Sequence, residues 1–179
     1  MSAQRSSEYI ELNRTFRKLL DEAYKDDNQR FELSHVQSSA LTWGELLKLR
    51  RVVILSEAGS GKTKEIHQCS HRLRTEGKKA FFLRLEDVSY GVDDAFRVGT
   101  YQEFKEWQTS SEEGWLFLDS VDESRLKDPK DFERAIRAVH RQLEQAGARA
   151  HIVLTSRANA WRPFSDRRLC EDLLPWSPD

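Results

Sequence analysis

Apolar positions change their spacing several times along the chain, and each change marks an element. From Glu8 to Lys25, Tyr9, Leu12, Phe16, Leu19, Leu20 and Ala23 fall on one side of a helical wheel, with Arg14, Arg17 and Lys18 elsewhere. That spacing predicts an N-terminal amphipathic helix, its stripe packed on the domain or docked on a partner helix. After a polar stretch around Asp26 to Ser39, Thr42-Trp43-Gly44-Glu45 has capping-box spacing and predicts a short helix through Leu46, Leu47 and Leu49. Apolar runs beginning at Val52 and spanning Ala80 to Leu85, Trp115 to Leu118 and His151 to Thr155 read as buried strands. Between them lie a helix from Lys62 to Glu76 that stops near Gly77, and a loop from Asp87 to Gly99. A second capping box at Thr100-Tyr101-Gln102-Glu103 opens a helix that sends Tyr101, Phe104 and Trp107 to the core. A further helix starts at Asp128-Pro129, carries Phe132, Ile136, Val139 and Leu143 on one face, and ends at Gly147. Strands alternating with helices predict a three-layer α/β architecture with a mostly parallel sheet covered on both faces. No strand is predicted from Ala158 to Asp179, which holds three of the four prolines.

A chain of 179 residues fits one domain of ordinary size with a real core. Its net charge of −1 implies no global field for holding nucleic acid or an anionic membrane. No apolar run is long enough to span a bilayer, and the start, MSAQRSSEYIELNR, lacks the apolar core of a signal peptide. Cys69 and Cys170 are too few for a disulfide framework, so a reducing cytoplasm is the expected location. His35, His67, His71, His140 and His151 are read as not pairing with cysteines or each other at zinc-ligand spacing, and no structural metal is expected. There is no G-x-S-x-G elbow to suggest serine-hydrolase chemistry. Arg162, Arg167 and Arg168, near Trp161, read as a solvated charged tail.

The chemistry begins in Val52 to Thr63, VVILSEAGSGKT, where an apolar strand runs into a glycine-rich loop and then a helix. Backbone N–H groups of such a loop wrap phosphate oxygens, and the helix aims its positive dipole end at them. The residues expected to surround a triphosphate are Glu57, Ala58, Gly59, Ser60, Gly61, Lys62 and Thr63. Lys62 would reach the β- and γ-phosphates, and the Thr63 hydroxyl would ligate Mg²⁺. Ser56 stands where the P-loop pattern has its first glycine, and a serine at positive φ would carry a steric cost there.

The third strand runs into Leu118-Asp119-Ser120-Val121-Asp122-Glu123, acids at the carboxyl edge where open α/β sheets bind ligands. Asp119 is the candidate second ligand for Mg²⁺, opposite Thr63. Glu123, with Asp122 beside it, is the candidate general base for an attacking water. The fourth strand ends in Thr155-Ser156-Arg157, and Arg157 offers guanidinium donors to γ-phosphate oxygens.

SEAGSGKT, LFLDSVDE and IVLTSR together resemble the Walker A, Walker B and sensor-1 motifs of the NACHT family, within the STAND class of signalling P-loop NTPases. That family carries a small residue after the first Walker B aspartate and further acids two and three places beyond it, as Ser120, Asp122 and Glu123 stand here. The resemblance covers roughly Leu41 to Arg162. It implies a P-loop NTPase core over residues 41–162, an N-terminal helical extension and linker over 1–40, and a tail over 163–179 that is incomplete relative to the family. It further implies an ATP-binding switch of low turnover, with Mg²⁺, nucleotide-dependent self-association and an effector or sensor partner, in innate-immune or anti-phage signalling. Two other readings stand beside it: a small-molecule or nucleotide kinase, and a non-hydrolysing nucleotide-binding interaction module.

Overall fold

The computed structural model of the chain describes residues 14–19, 36–119 and 130–175. Its centre is a five-stranded sheet of β3 (Arg51–Ser56), β4 (Lys79–Arg84), β5 (Phe96–Val98), β6 (Gly114–Asp119) and β7 (Ala150–Arg157), in the order β3-β7-β6-β4-β5. Every neighbouring pair is parallel except β4 with β5. Parallel strands need crossovers, which the chain supplies as helices on both faces, so β6 is buried along its whole length and is apolar on both sides until Asp119. On one face α2 (Lys62–Thr75) packs Ile66, Cys69 and Leu73 against Phe82, Phe117 and Val153. On the other, α4 (Tyr101–Thr109), α5 (Asp131–Leu143) and α6 (Ser165–Leu173) cover Phe81, Leu83, Leu116, Ile152 and Leu154. The three-layer, mostly parallel α/β architecture read from the alternation is the one observed.

Both capping boxes form. The Thr42 N–H donates to Glu45 Oε2 at 2.7 Å, at the start of α1 (Trp43–Leu46), and holds that carboxyl below the usual range. Thr100 Oγ1 accepts from the Glu103 N–H at 3.2 Å, while Glu103 Oε2 accepts from the Thr100 N–H at 2.8 Å. Phe104 and Trp107 are core residues, as their spacing predicts, and Tyr101 packs at the edge of the same cluster.

Four readings are corrected. Within the segment expected as an amphipathic helix, Phe16–Leu19 is a strand, β1, paired antiparallel with β2 (Val36–Leu41). Arg14 and Thr15 ahead of it are described and lie outside any regular element, and the remainder of that segment lies outside the described residues. A helical wheel weighs only local spacing, whereas the ladder partner of β1 lies about twenty residues away and satisfies its backbone groups from outside the window. The loop expected over Asp87 to Gly99 contains α3 (Leu85–Val88), a 3-10 turn (Asp93–Ala95) and the edge strand β5, which at three residues is too short to show a period. The charged C-terminal stretch contains α6, whose Cys170 joins Leu174 in the core, and Arg51 Nη1 donates to the carbonyl oxygens of Cys170 at 2.6 Å and Leu174 at 3.3 Å. Its charges are spent locally: Arg167 Nε meets Glu171 Oε1 at 2.7 Å, one helical turn on. Finally, His67 and His71 do share one helix face, with ring centroids 4.6 Å apart, yet no group of three potential metal ligands exists among the described residues. Burial in the core pushes the thiol of Cys69, on the opposite side of the same helix, up to about 11, which makes it an inert core group. Among the described residues no helix is long and apolar enough to cross a membrane.

Candidate phosphate and metal site

Because β3, β7 and β6 are parallel, they end on one edge of the sheet, and the segments of chemical interest emerge there together. Ser56 is the last residue of β3, paired with Arg157 in the ladder, and its carbonyl accepts from the Ala158 N–H at 3.2 Å. Its backbone is that of a strand, so the steric cost expected of a serine at the first glycine position does not arise. Its hydroxyl shares a hydrogen bond with that of Ser60 at 2.9 Å, which closes the neck of the loop. The left-handed backbone falls instead at Gly59 (φ 73°) and Gly61 (φ 84°), where glycine carries no Cβ penalty. Gly61 leads directly into α2, whose first intrahelical bond runs from the Glu65 N–H to the Gly61 carbonyl at 3.1 Å. The N–H groups ahead of Glu65 therefore have no intrahelical acceptor, and the positive end of a fourteen-residue helix faces the loop. Glu57, Ala58 and Gly59 are exposed, and Ser60 and Lys62 are half-buried.

Asp119 is fully buried at the end of β6. Its Oδ2 accepts from Thr63 Oγ1 at 2.7 Å, and its Oδ1 accepts from Thr155 Oγ1 at 2.5 Å. The fold thus brings together Thr63 and Asp119, fifty-six residues apart. Thr155 is a second holder of the aspartate that the motifs do not mark, although a threonine ending an otherwise apolar buried run is a readable signal. It sits on β7, which the sheet order places between the loop strand and the aspartate strand. Replacing Thr155 by valine keeps the shape and removes the donor, leaving a buried carboxylate oxygen without it. The expected cost is about 1–3 kcal/mol, read as a lower urea midpoint with an unchanged slope.

Arg157 is exposed at the tip of β7 beside the loop's first residue, and its carbonyl accepts from the N–H groups of Ala160 at 3.1 Å and Trp161 at 3.2 Å. Asp122 and Glu123 lie outside the described residues. The donor set fits Mg²⁺: a hydroxyl and a carboxylate, both hard oxygen ligands, beside a loop able to present phosphate. A buried carboxylate held by two neutral hydroxyls is also the charge that a divalent cation would offset.

No protein-family model matches the chain, and no curated protein matches it. Among solved structures, one described as a replication initiator DnaA bound to AMPPCP and single-stranded DNA aligns at 18% identity with a TM-score of 0.45, over 70% of this chain and 40% of that one. A second, described as a DNA replication initiation factor, aligns at 17% identity with a TM-score of 0.43, over 70% of this chain and 39% of that one. The chain therefore spans about two fifths of the length of the structures it aligns with. Its own sheet, with loop and buried aspartate at the carboxyl edge, is a P-loop NTPase-like arrangement.

A residue from outside the sheet completes the site. The Arg14 guanidinium donates from Nη2 to the Ser60 carbonyl, and its Nε lies 2.5 Å from Glu65 Oε2. The other oxygen, Glu65 Oε1, accepts from Trp43 Nε1 at 2.9 Å. The helical reading of the N-terminal segment sets Arg14 away from the apolar stripe, and no local signal marks it for the loop.

Proposed function

We propose that the chain is an ATP-binding, slowly hydrolysing nucleotide switch of the NACHT type within the STAND class. The observation that carries this reading is the 2.7 Å contact between Thr63 and Asp119 at the foot of a glycine-rich loop. In this reading the backbone of Glu57 to Thr63 cradles the phosphates, Lys62 neutralises the β- and γ-phosphates, and Thr63 and Asp119 hold Mg²⁺. Bound there, Mg²⁺ would neutralise phosphate charge. Glu123, with Asp122 beside it, orients and deprotonates water, and Arg157 offers its donors to the γ-phosphoryl group. ATP rather than another triphosphate follows from the resemblance in motifs, as do self-association and an effector or sensor partner in defence signalling.

The test is phosphate release from Mg-ATP alongside mass by light scattering with ATP, with ADP and without nucleotide. Glu123→Gln is expected to lower release by about a hundredfold or more while ATP still binds, the range over which a general base acts. A larger mass with ATP than with ADP supports the switch. Identical mass in all three states counts against it, and release unchanged in Glu123→Gln removes that residue from the role. Transfer of phosphate to an added acceptor instead of water would move the reading to a kinase.

A further inference from the structure

The contacts of Arg14 have a consequence for how the loop works. Ser60 and Gly61 share one peptide group, so a guanidinium bonded to its carbonyl draws electron density from the Gly61 N–H. That makes the N–H a stronger donor to a phosphate oxygen on the other side of the peptide. The loop needs such a hold. Nothing lies within 4 Å of where a Cβ on Gly59 would sit, and both loop glycines occupy a conformation that free glycine leaves readily. At Gly61 the nearest atom is Arg14 Nη2 itself, 3.3 Å from the Cβ position. The ion pair beneath it is largely sheltered, with the Arg14 and Glu65 side chains 29% and 12% exposed, so solvent screens it less than a surface pair.

Arg14 does not reach the loop alone. Two residues on, Phe16 of β1 packs edge-on against Trp43, with ring centroids 5.0 Å apart, and the Trp43 indole donates to Glu65. The contacts close a ring from β1 through Trp43, Glu65 and Arg14 to Ser60 and the phosphate loop. An ordered loop and a docked β1–β2 pair therefore favour each other. Any ligand that orders the loop must tighten the docking by the same factor that docking tightens the ligand, because linkage is reciprocal.

We propose that Arg14 is a positioning residue of the phosphate loop, and that through it nucleotide occupancy is read out as docking of the β1–β2 strand pair onto the domain. This rests on the nucleotide reading above. The relay runs from the phosphates through the Ser60–Gly61 peptide to the guanidinium, then into β1 and its partner strand β2.

The test uses the 179-residue chain. Calorimetry with Mg-ADP and amide hydrogen exchange with and without saturating Mg-ADP are run on wild type, Arg14→Ala, Arg14→Lys and Lys62→Ala. Arg14→Ala is expected to bind Mg-ADP about tenfold more weakly, within the usual range of site-to-site coupling, with Arg14→Lys in between because an ammonium cannot fork to carbonyl and carboxylate together. Mg-ADP should slow exchange of the β1 and β2 amides by about the same tenfold in wild type and not in Arg14→Ala. A residue that only stabilised the strand pair would raise exchange equally with and without nucleotide, leaving the ratio intact; that result overturns the proposal. So does equal Mg-ADP affinity in wild type and Arg14→Ala, and in both cases binding lost only in Lys62→Ala leaves the nucleotide reading standing. A folded wild-type chain that binds no nucleotide overturns both.

Discussion

Lys62→Ala is expected to weaken Mg-ATP binding by about thirtyfold or more, because truncating one partner of a charged, partly desolvated contact costs about 2–5 kcal/mol and each 1.4 kcal/mol is tenfold. The fold should not register the change. Lys62 is half-buried at the first position of α2, where alanine is a good helix former, and the core face of that helix begins at Ile66. Stability is therefore expected to stay within about 0.5 kcal/mol of wild type. Titration calorimetry reads the first quantity and urea unfolding the second. Ser56→Gly is the informative companion: since Ser56 sits in strand backbone, restoring the glycine of the motif relieves no strain, and loss of the hydroxyl that holds Ser60 should weaken affinity by about two- to tenfold, the ~0.5–1.5 kcal/mol of one hydrogen bond. Equal affinity in wild type and Lys62→Ala would remove the loop from the binding site altogether.

Gly114→Ala should lower stability by about 3 kcal/mol or more, the upper end of what overpacking costs, although it adds one methyl group. A Cβ on Gly114 would lie 2.3 Å from Trp107 Cε2 and 2.5 Å from its Cζ2 and Nε1. Neither side can give way. Trp107 is buried, packs on Phe104 and Phe81 with ring centroids 5.4 and 5.8 Å away, and donates its indole N–H to the Glu112 carbonyl at 2.9 Å. Gly114 is paired with Lys79 on one side and Ala150 on the other, so its backbone is held between two strands. The loss appears as a lower urea midpoint, and a change below about 1 kcal/mol would show that the tryptophan moves aside. Because β6 carries Asp119 five residues on, any shift of the strand that relieves the clash also displaces the aspartate from Thr63.

These two positions differ in how readable they were. Lys62 announces itself through its neighbours, since a strand, two glycines and a hydroxyl in that order describe one kind of loop. Gly114 looks like an ordinary stop before a strand, and only the placement of α4 over the start of β6 reveals that its missing side chain makes room for Trp107. The same contrast separates Asp119 from Thr155. An acid at the end of an apolar strand stands out, whereas a threonine in the next strand matters only because β7 lies beside β6 and turns its hydroxyl to the same carboxylate. In that triplet Arg157 stands out for its charge, whereas the contact of the buried Thr155 hydroxyl with Asp119 has no local mark.

What the sequence determined by itself are the features whose cause is local: the four parallel strands of the central sheet, the helices α2, α4 and α5 between them, the two capping boxes, and the chemistry of the loop. Each depends on residues within one or two turns or pleats of one another, where spacing and side-chain type suffice. Tertiary structure alone decided the β1–β2 pair and the edge strand β5, the placement of β7 between β3 and β6, the packing of α6, the second hold on Asp119, and the reach of Arg14 across forty-six residues to Ser60. A short strand gets its hydrogen bonds, and a buried carboxylate its donors, from chain that is distant in sequence. Those partners exist only after the sheet has assembled.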